Sequence, residues 1–217
     1  MIPIKDVNPH RSFPLVNLSI ILTCSIVWLY EVSLSEEKLN LFIYHYGLVP
    51  INLFERPQTL LTHMFLHGSW LHIIGNMWFL WVFGDNVEDR MGRFKYLLFY
   101  ILSGLGAAVI QMFVSFLFGG ADIPMVGASG AISGVLGAYL WMFPHARILA
   151  LIPIFFFLTF MELPAVFFIG LWILIQVING LITLPLSGVG GVAWFAHIGG
   201  FVVGYLLAKR LYRRRWY

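Results

Sequence analysis

Gly127-Ala128-Ser129-Gly130, continued by Ser133, Gly134 and Gly137, opens an apolar stretch that runs to Phe143. Read as a helix, it carries Gly130 and Gly134 four residues apart, with Ser129, Ser133 and Gly137 as a second row of small residues. Such rows let membrane helices approach closely. A matching row, Gly199, Gly200 and Gly204, lies beside His197 in another apolar run. Two helices that meet through these faces bring Ser129 to His197. Polar side chains at bilayer depth are costly and usually functional. A hydroxyl and an imidazole are also what nucleophilic acyl transfer needs.

The composition sets the environment. Of 217 residues, 60% are hydrophobic and 11% charged, with mean hydropathy +0.86. Soluble domains carry roughly 25% charged residues, so this deficit indicates an integral membrane protein. Length allows a single domain over residues 1–217, with short cytoplasmic tails at about 1–14 and 208–217. The net charge of +3 does not indicate nucleic acid, because the basic residues gather at the ends of apolar runs. One cysteine, Cys24, excludes an internal disulfide and reads as a packing residue. Residues 1–14 are polar, with no small-x-small pattern after them, so no cleavable signal is expected.

A helix needs about 20 residues to cross hydrocarbon. Six segments serve, at about Val16–Tyr30, Trp70–Phe83, Tyr96–Phe118, Ala128–Phe143, Leu163–Leu184 and Val192–Leu207. The expected fold is an all-α bundle of six transmembrane helices with both termini cytoplasmic. Residues 148–161, with Pro153, are too short for an untilted span and read as re-entrant or interfacial. Eleven basic residues fall on the inner side: Lys5, Arg11, Arg90, Arg93, Lys95, Arg147, Lys209, Arg210, Arg213, Arg214 and Arg215. Only Lys38 and Arg56 fall outside, which is the positive-inside pattern. Five or seven spans break it. The first outer loop, residues 31–69, reads as amphipathic structure at the interface.

In this orientation Ser129, His197, His72 and Asn76 share a level in the outer leaflet. His72 and Asn76 lie one helical turn apart on one face, as donors to an anion forming beside Ser129. The start of the Ser129 helix adds unpaired N–H groups. His63, His67 and His72 invite a metal reading, but no carboxylate or cysteine joins them, so neither metal nor cofactor is expected. The nearest acids, Asp122 and Glu162, are not placed to orient His197, which leaves a serine–histidine dyad. A small transporter is the other reading, without an inverted repeat or a midplane charge pair to support it.

Together these motifs resemble the rhomboid family of intramembrane serine proteases, in its compact six-helix bacterial form. The resemblance covers about residues 42–207. It rests on His63-Met64-Phe65-Leu66-His67 with His72 and Asn76, on Gly84, Glu88 and Gly92, on Gly127-Ala128-Ser129-Gly130, and on Ala196-His197-Ile198-Gly199-Gly200 with Gly204. It implies Ser129 as nucleophile and His197 as general base. It implies an oxyanion hole of His72, Asn76 and the Ser129 N–H. It also implies a cavity open to the extracytoplasmic side of a bacterial inner membrane, lateral entry beside the fifth helix, and single-pass transmembrane substrates. A catalytically inert, helix-binding relative is the rival within the family. Two features depart from the pattern. Gln58 and Thr59 replace a Trp-Arg pair, with Arg56 as an alternative anchor. Ser133 replaces an aromatic that supports the histidine, leaving a hydroxyl able to bond it instead.

Overall fold

The computed structural model describes residues 1–8, 11–154 and 157–212. Among these are eight α-helices: α1 (Leu15–Glu31), α2 (Glu36–Tyr46), α3 (Thr59–Thr62), α4 (Trp70–Met91), α5 (Arg93–Phe118), α6 (Ser129–Met142), α7 (Ala165–Thr183) and α8 (Trp194–Leu211). The six apolar segments fall on α1, α4, α5, α6, α7 and α8. By length and composition, Arg93–Phe118 and Ala165–Leu186 suffice to cross a membrane, whereas α1 and α6 are shorter apolar helices. Arg213, Arg214 and Arg215 lie outside the described residues.

Helix α4 continues past Phe83 to Met91, because the polar residues of its second half have work there. Buried Glu88 accepts the backbone N–H groups of Val16 (3.1 Å) and Asn17 (2.7 Å). These are orphan donors of the first turn of α1, which Pro14 cannot cap with a side chain. Asn17 in turn donates to Leu80 O (3.0 Å) and accepts from the Tyr96 hydroxyl (2.8 Å). Gly84 leaves space for this pair: a Cβ there would stand 2.8 Å from the Tyr96 oxygen. One buried network thus joins α1, α4 and α5.

The all-α expectation is corrected by a sheet of three antiparallel strands, order β1-β2-β3: β1 (Ile2–Asp6), β2 (Arg147–Ile154) and β3 (Phe157–Pro164). The described part of residues 148–161 is not helical: it lies in β2 and β3, which pair from Arg147↔Pro164 to Ile154↔Phe157. Pro153 and the β-branched and aromatic residues here (Ile148, Ile152, Phe157, Thr159 and Phe160) favour this over a helix. Strand β1 pairs only with Ile148 to Leu151, so Pro153 meets an open edge where its missing N–H costs no ladder bond. The tail at 1–14 is thereby partly ordered. Asp6 accepts from Asn86 (2.8 Å) and the Tyr139 hydroxyl (2.6 Å), which fixes the sheet beside the end of α6 remote from Ser129. Ten residues of helix put about 15 Å between Tyr139 and Ser129.

The long loop is structured at the other end. Helix α2 is followed by short 3-10 turns at Pro50–Asn52 and His63–Phe65. Arg56 donates to Tyr44 O (3.0 Å) and lies 4.7 Å from the Tyr44 ring centroid, so it pins this loop. Leu48 and Met125 exchange backbone bonds (2.9 and 2.8 Å), tying the loop to the segment that leads into Ser129.

Candidate active site

Ser129 is the first residue of α6, and Ala128 before it already has right-handed helical angles (φ −71°, ψ −11°). Gly127 makes the bend at φ +124°, which L side chains rarely adopt, and its N–H donates to His63 O (2.9 Å). A Cβ at Gly127 would lie 2.7 Å from His72 Cε1 and 2.8 Å from His72 Nε2. The glycine therefore admits the His72 ring to the neighbourhood of Ser129.

Close backbone approach brings α8 in. The Gly200 Cα faces the carbonyl oxygen of Gly130, and Gly204 faces the backbone of Gly134, at separations that admit no Cβ. Gly199 turns instead to α5, where a Cβ would stand 2.8 Å from Ile110 Cβ. The start of α8 is held by Gln111, whose Oε1 accepts from the Ala196 N–H (3.1 Å). With the helices so placed, His197 Nε2 lies 2.8 Å from Ser129 Oγ.

His72 Nδ1 accepts from the Gly68 N–H (3.3 Å), which leaves the ring proton on Nε2, the nitrogen beside Gly127. Asn76 is buried one turn along, and its Nδ2 has no hydrogen-bond partner among the described residues. A buried unpaired donor costs roughly 1–3 kcal/mol, a cost that an incoming anion removes. The other histidines are used locally. His63 Nδ1 donates to Thr59 O (2.7 Å) and His67 Nδ1 to Phe65 O (3.2 Å). Burial pushes His63 down to about 4. Burial, and then the neighbouring His72, push His67 down to about 4.

Three features escaped the sequence reading. Gln176 of α7, 6% exposed, places Oε1 2.9 Å from His197 Nδ1. The position beyond the histidine is thus held by an amide rather than by an acid or by nothing. Trp172 and Trp194 flank the His197 ring, with centroids at 6.2 and 5.9 Å. They provide the aromatic contact that Ser133 cannot. The Ser133 hydroxyl bonds Ser129 O (2.6 Å) within its own helix rather than the histidine. A lone glutamine in an apolar run, with Trp172 four residues before it, was the available signal.

Residues 55–214 match the rhomboid domain. The chain belongs to the rhomboid family. Rhomboids are membrane-embedded and are generally intramembrane serine proteases. This rhomboid is 35% identical over 158 residues to RHOMBOID-like protein 4 of Arabidopsis thaliana, covering 73% of this chain and 35% of that one. It is 32% identical over 148 residues to presenilin-associated rhomboid-like protein A, mitochondrial, of Danio rerio, covering 64% and 34%. Against rhomboid protein 1, mitochondrial, of Saccharomyces cerevisiae it is 30% identical over 109 residues, covering 50% and 32%. The chain spans about a third of the length of these relatives. Relatives named for a compartment are mitochondrial or chloroplastic and lend no support to a bacterial inner membrane.

Proposed function

We propose that this rhomboid is an intramembrane serine endopeptidase that cuts transmembrane helices near their outer end, with Ser129 as nucleophile and His197 as general base. The observation that carries this reading is the 2.8 Å contact between His197 Nε2 and Ser129 Oγ. As Oγ attacks the scissile carbonyl carbon, its proton passes to Nε2. The oxyanion takes hydrogen bonds from His72 Nε2–H, from Asn76 Nδ2 and from the Ser129 N–H. His197 then protonates the leaving nitrogen as the C–N bond breaks, which leaves an ester on Ser129. Water attacks that ester and gives a proton to His197; the C–Oγ bond then breaks, the new carboxyl terminus leaves, and His197 returns the proton to Oγ.

In this reading α1, α4, α5, α6, α7 and α8 cross the bilayer as one domain, and both termini are cytoplasmic. The distribution of lysine and arginine supports that direction. Helix α6 has 14 residues. It spans about 21 Å against roughly 30 Å of hydrocarbon. A nucleophile at its outer end then lies below the membrane surface. Irregular backbone from Gly120 to Ala128 can line a path for water there. The substrate helix must unwind around the cut, so residues of low helix propensity are expected beside it.

Cleavage of a reporter transmembrane helix by the purified chain in vesicles tests the proposal. Parent activity that disappears in both Ser129→Ala and His197→Ala supports it. Equal cleavage by either variant removes the dyad. A parent that binds helices without cutting them makes this an inert rhomboid.

A further inference from the structure

We infer that Gln176 is a positioning residue that fixes the proton of His197 on Nδ1 and so keeps Nε2 free to accept from Ser129. The inference rests on the proposed dyad but concerns a residue that the dyad does not include. Gln176 Nε2 donates to the carbonyl oxygen of Trp172, one turn earlier in α7, at 3.1 Å. A carbonyl only accepts, so the amide NH₂ must point to Trp172, and Oε1 must be the end turned toward the histidine. Oε1 also only accepts, so His197 Nδ1 carries the proton across the 2.9 Å contact. A neutral imidazole has one N–H, and with it on Nδ1 the other nitrogen presents its lone pair to Ser129 Oγ. The opposite tautomer leaves Nδ1 and Oε1 as two acceptors face to face and turns Nε2–H toward the hydroxyl.

The surroundings hold this arrangement. Gln176 is buried, so water does not readily replace its amide. Trp172 and Trp194 restrict the ring. Both Trp172 and Gln176 belong to α7, so the orientation of the base is set by a helix that carries neither Ser129 nor His197. The amide does what a buried acid does in a serine–histidine–acid triad, without its negative charge. The expected cost of losing it is therefore smaller than loss of an acid. It is one orienting hydrogen bond, about 10- to 100-fold in kcat, rather than the roughly 10⁴-fold of a reversed tautomer beside an acid.

The test compares the parent with Gln176→Met, which keeps length and removes the acceptor, and Gln176→Glu, which keeps an acceptor. Reporter cleavage, fluorophosphonate labelling as a function of pH, and ¹⁵N spectra of histidine-labelled full-length chain in micelles are measured for each. In the parent, His197 is protonated on Nδ1. Gln176→Met is expected to mix the tautomers and to slow labelling and kcat by about 10- to 100-fold, with KM within about threefold. Gln176→Glu is expected to restore most of the rate. Its added charge should move the acid limb of the labelling profile upward by about one unit or more. A merely structural role moves neither the tautomer nor the limb. The inference is overturned if Gln176→Met labels within about twofold of the parent, or if its His197 stays protonated on Nδ1 alone. Should the parent neither label nor cleave, the protease reading fails, and the tautomer comparison still decides the role of Gln176.

Discussion

Gly200→Ala converts helix packing into a rate measurement. The Cα of Gly200 faces the carbonyl of Gly130, and a Cβ there would fall inside the closest contact that backbone tolerates. Bringing that Cβ out to even the tightest separation seen for real Cβ atoms requires α8 to withdraw from α6 by about 1 Å. Gly130 adjoins Ser129, and Gly200 lies one turn beyond His197, so the withdrawal acts directly on the reacting pair. Added to 2.8 Å, it leaves Nε2 and Oγ about 3.8 Å apart, past hydrogen-bond range. A misplacement of that size costs about 100-fold in rate, and overpacking about 1–3 kcal/mol in stability. Reporter cleavage and thermal unfolding in the same detergent measure both. Gly170→Ala is the control: it lies within α7, and among the described residues nothing stands within 4 Å of its added Cβ. It should leave cleavage unchanged and gain up to about 1 kcal/mol. If Gly200→Ala cleaves within about threefold of the parent, the close approach does not set the dyad and the reasoning fails.

Other outcomes follow from the same geometry. Gly127→Ala meets both a strained φ of +124° and the His72 ring, and should lower kcat by about 10²–10³-fold with little change in KM; unchanged turnover would remove His72 from the oxyanion site. His63 is held near 4, below the usual histidine value, so the folded loop binds fewer protons than the free chain between these values. Stability is then complete above about 6.5 and falls as pH drops toward 4, by roughly 2 kcal/mol at pH 5; a thermal midpoint that is level from pH 7.5 to 5 contradicts this. Arg147 and Glu162 pair at 3.2 Å with side chains 71% and 50% exposed, so Arg147→Ala should cost less than about 1 kcal/mol. A large loss would show the hairpin depends on that pair.

The main helices and the Ser129–His197 contact were legible in the sequence because both obey local rules. Apolar runs mark helices, small-residue rows mark close approach, and a serine and a histidine stand out in apolar surroundings. Gln176 did not stand out, because its meaning depends on the rotation of α7 against α8, which no spacing within α7 encodes. The sheet was hidden for a similar reason. Ile2–Asp6 finds its partner in Ile148 to Leu151, far along the chain, and residues 148–161 are apolar on both faces, so no alternation marks a strand. Gly127 read as one more small packing residue. Its positive φ and its contact with His72 depend on a helix that starts elsewhere in the chain.

The activation of Ser129 by His197 is tested most directly by finding where a fluorophosphonate attaches. Peptide mapping of the labelled chain by mass spectrometry is expected to place one adduct on Ser129 in the parent and none in His197→Ala. An adduct on another serine, or equal labelling of Ser129 without the histidine, would contradict the account.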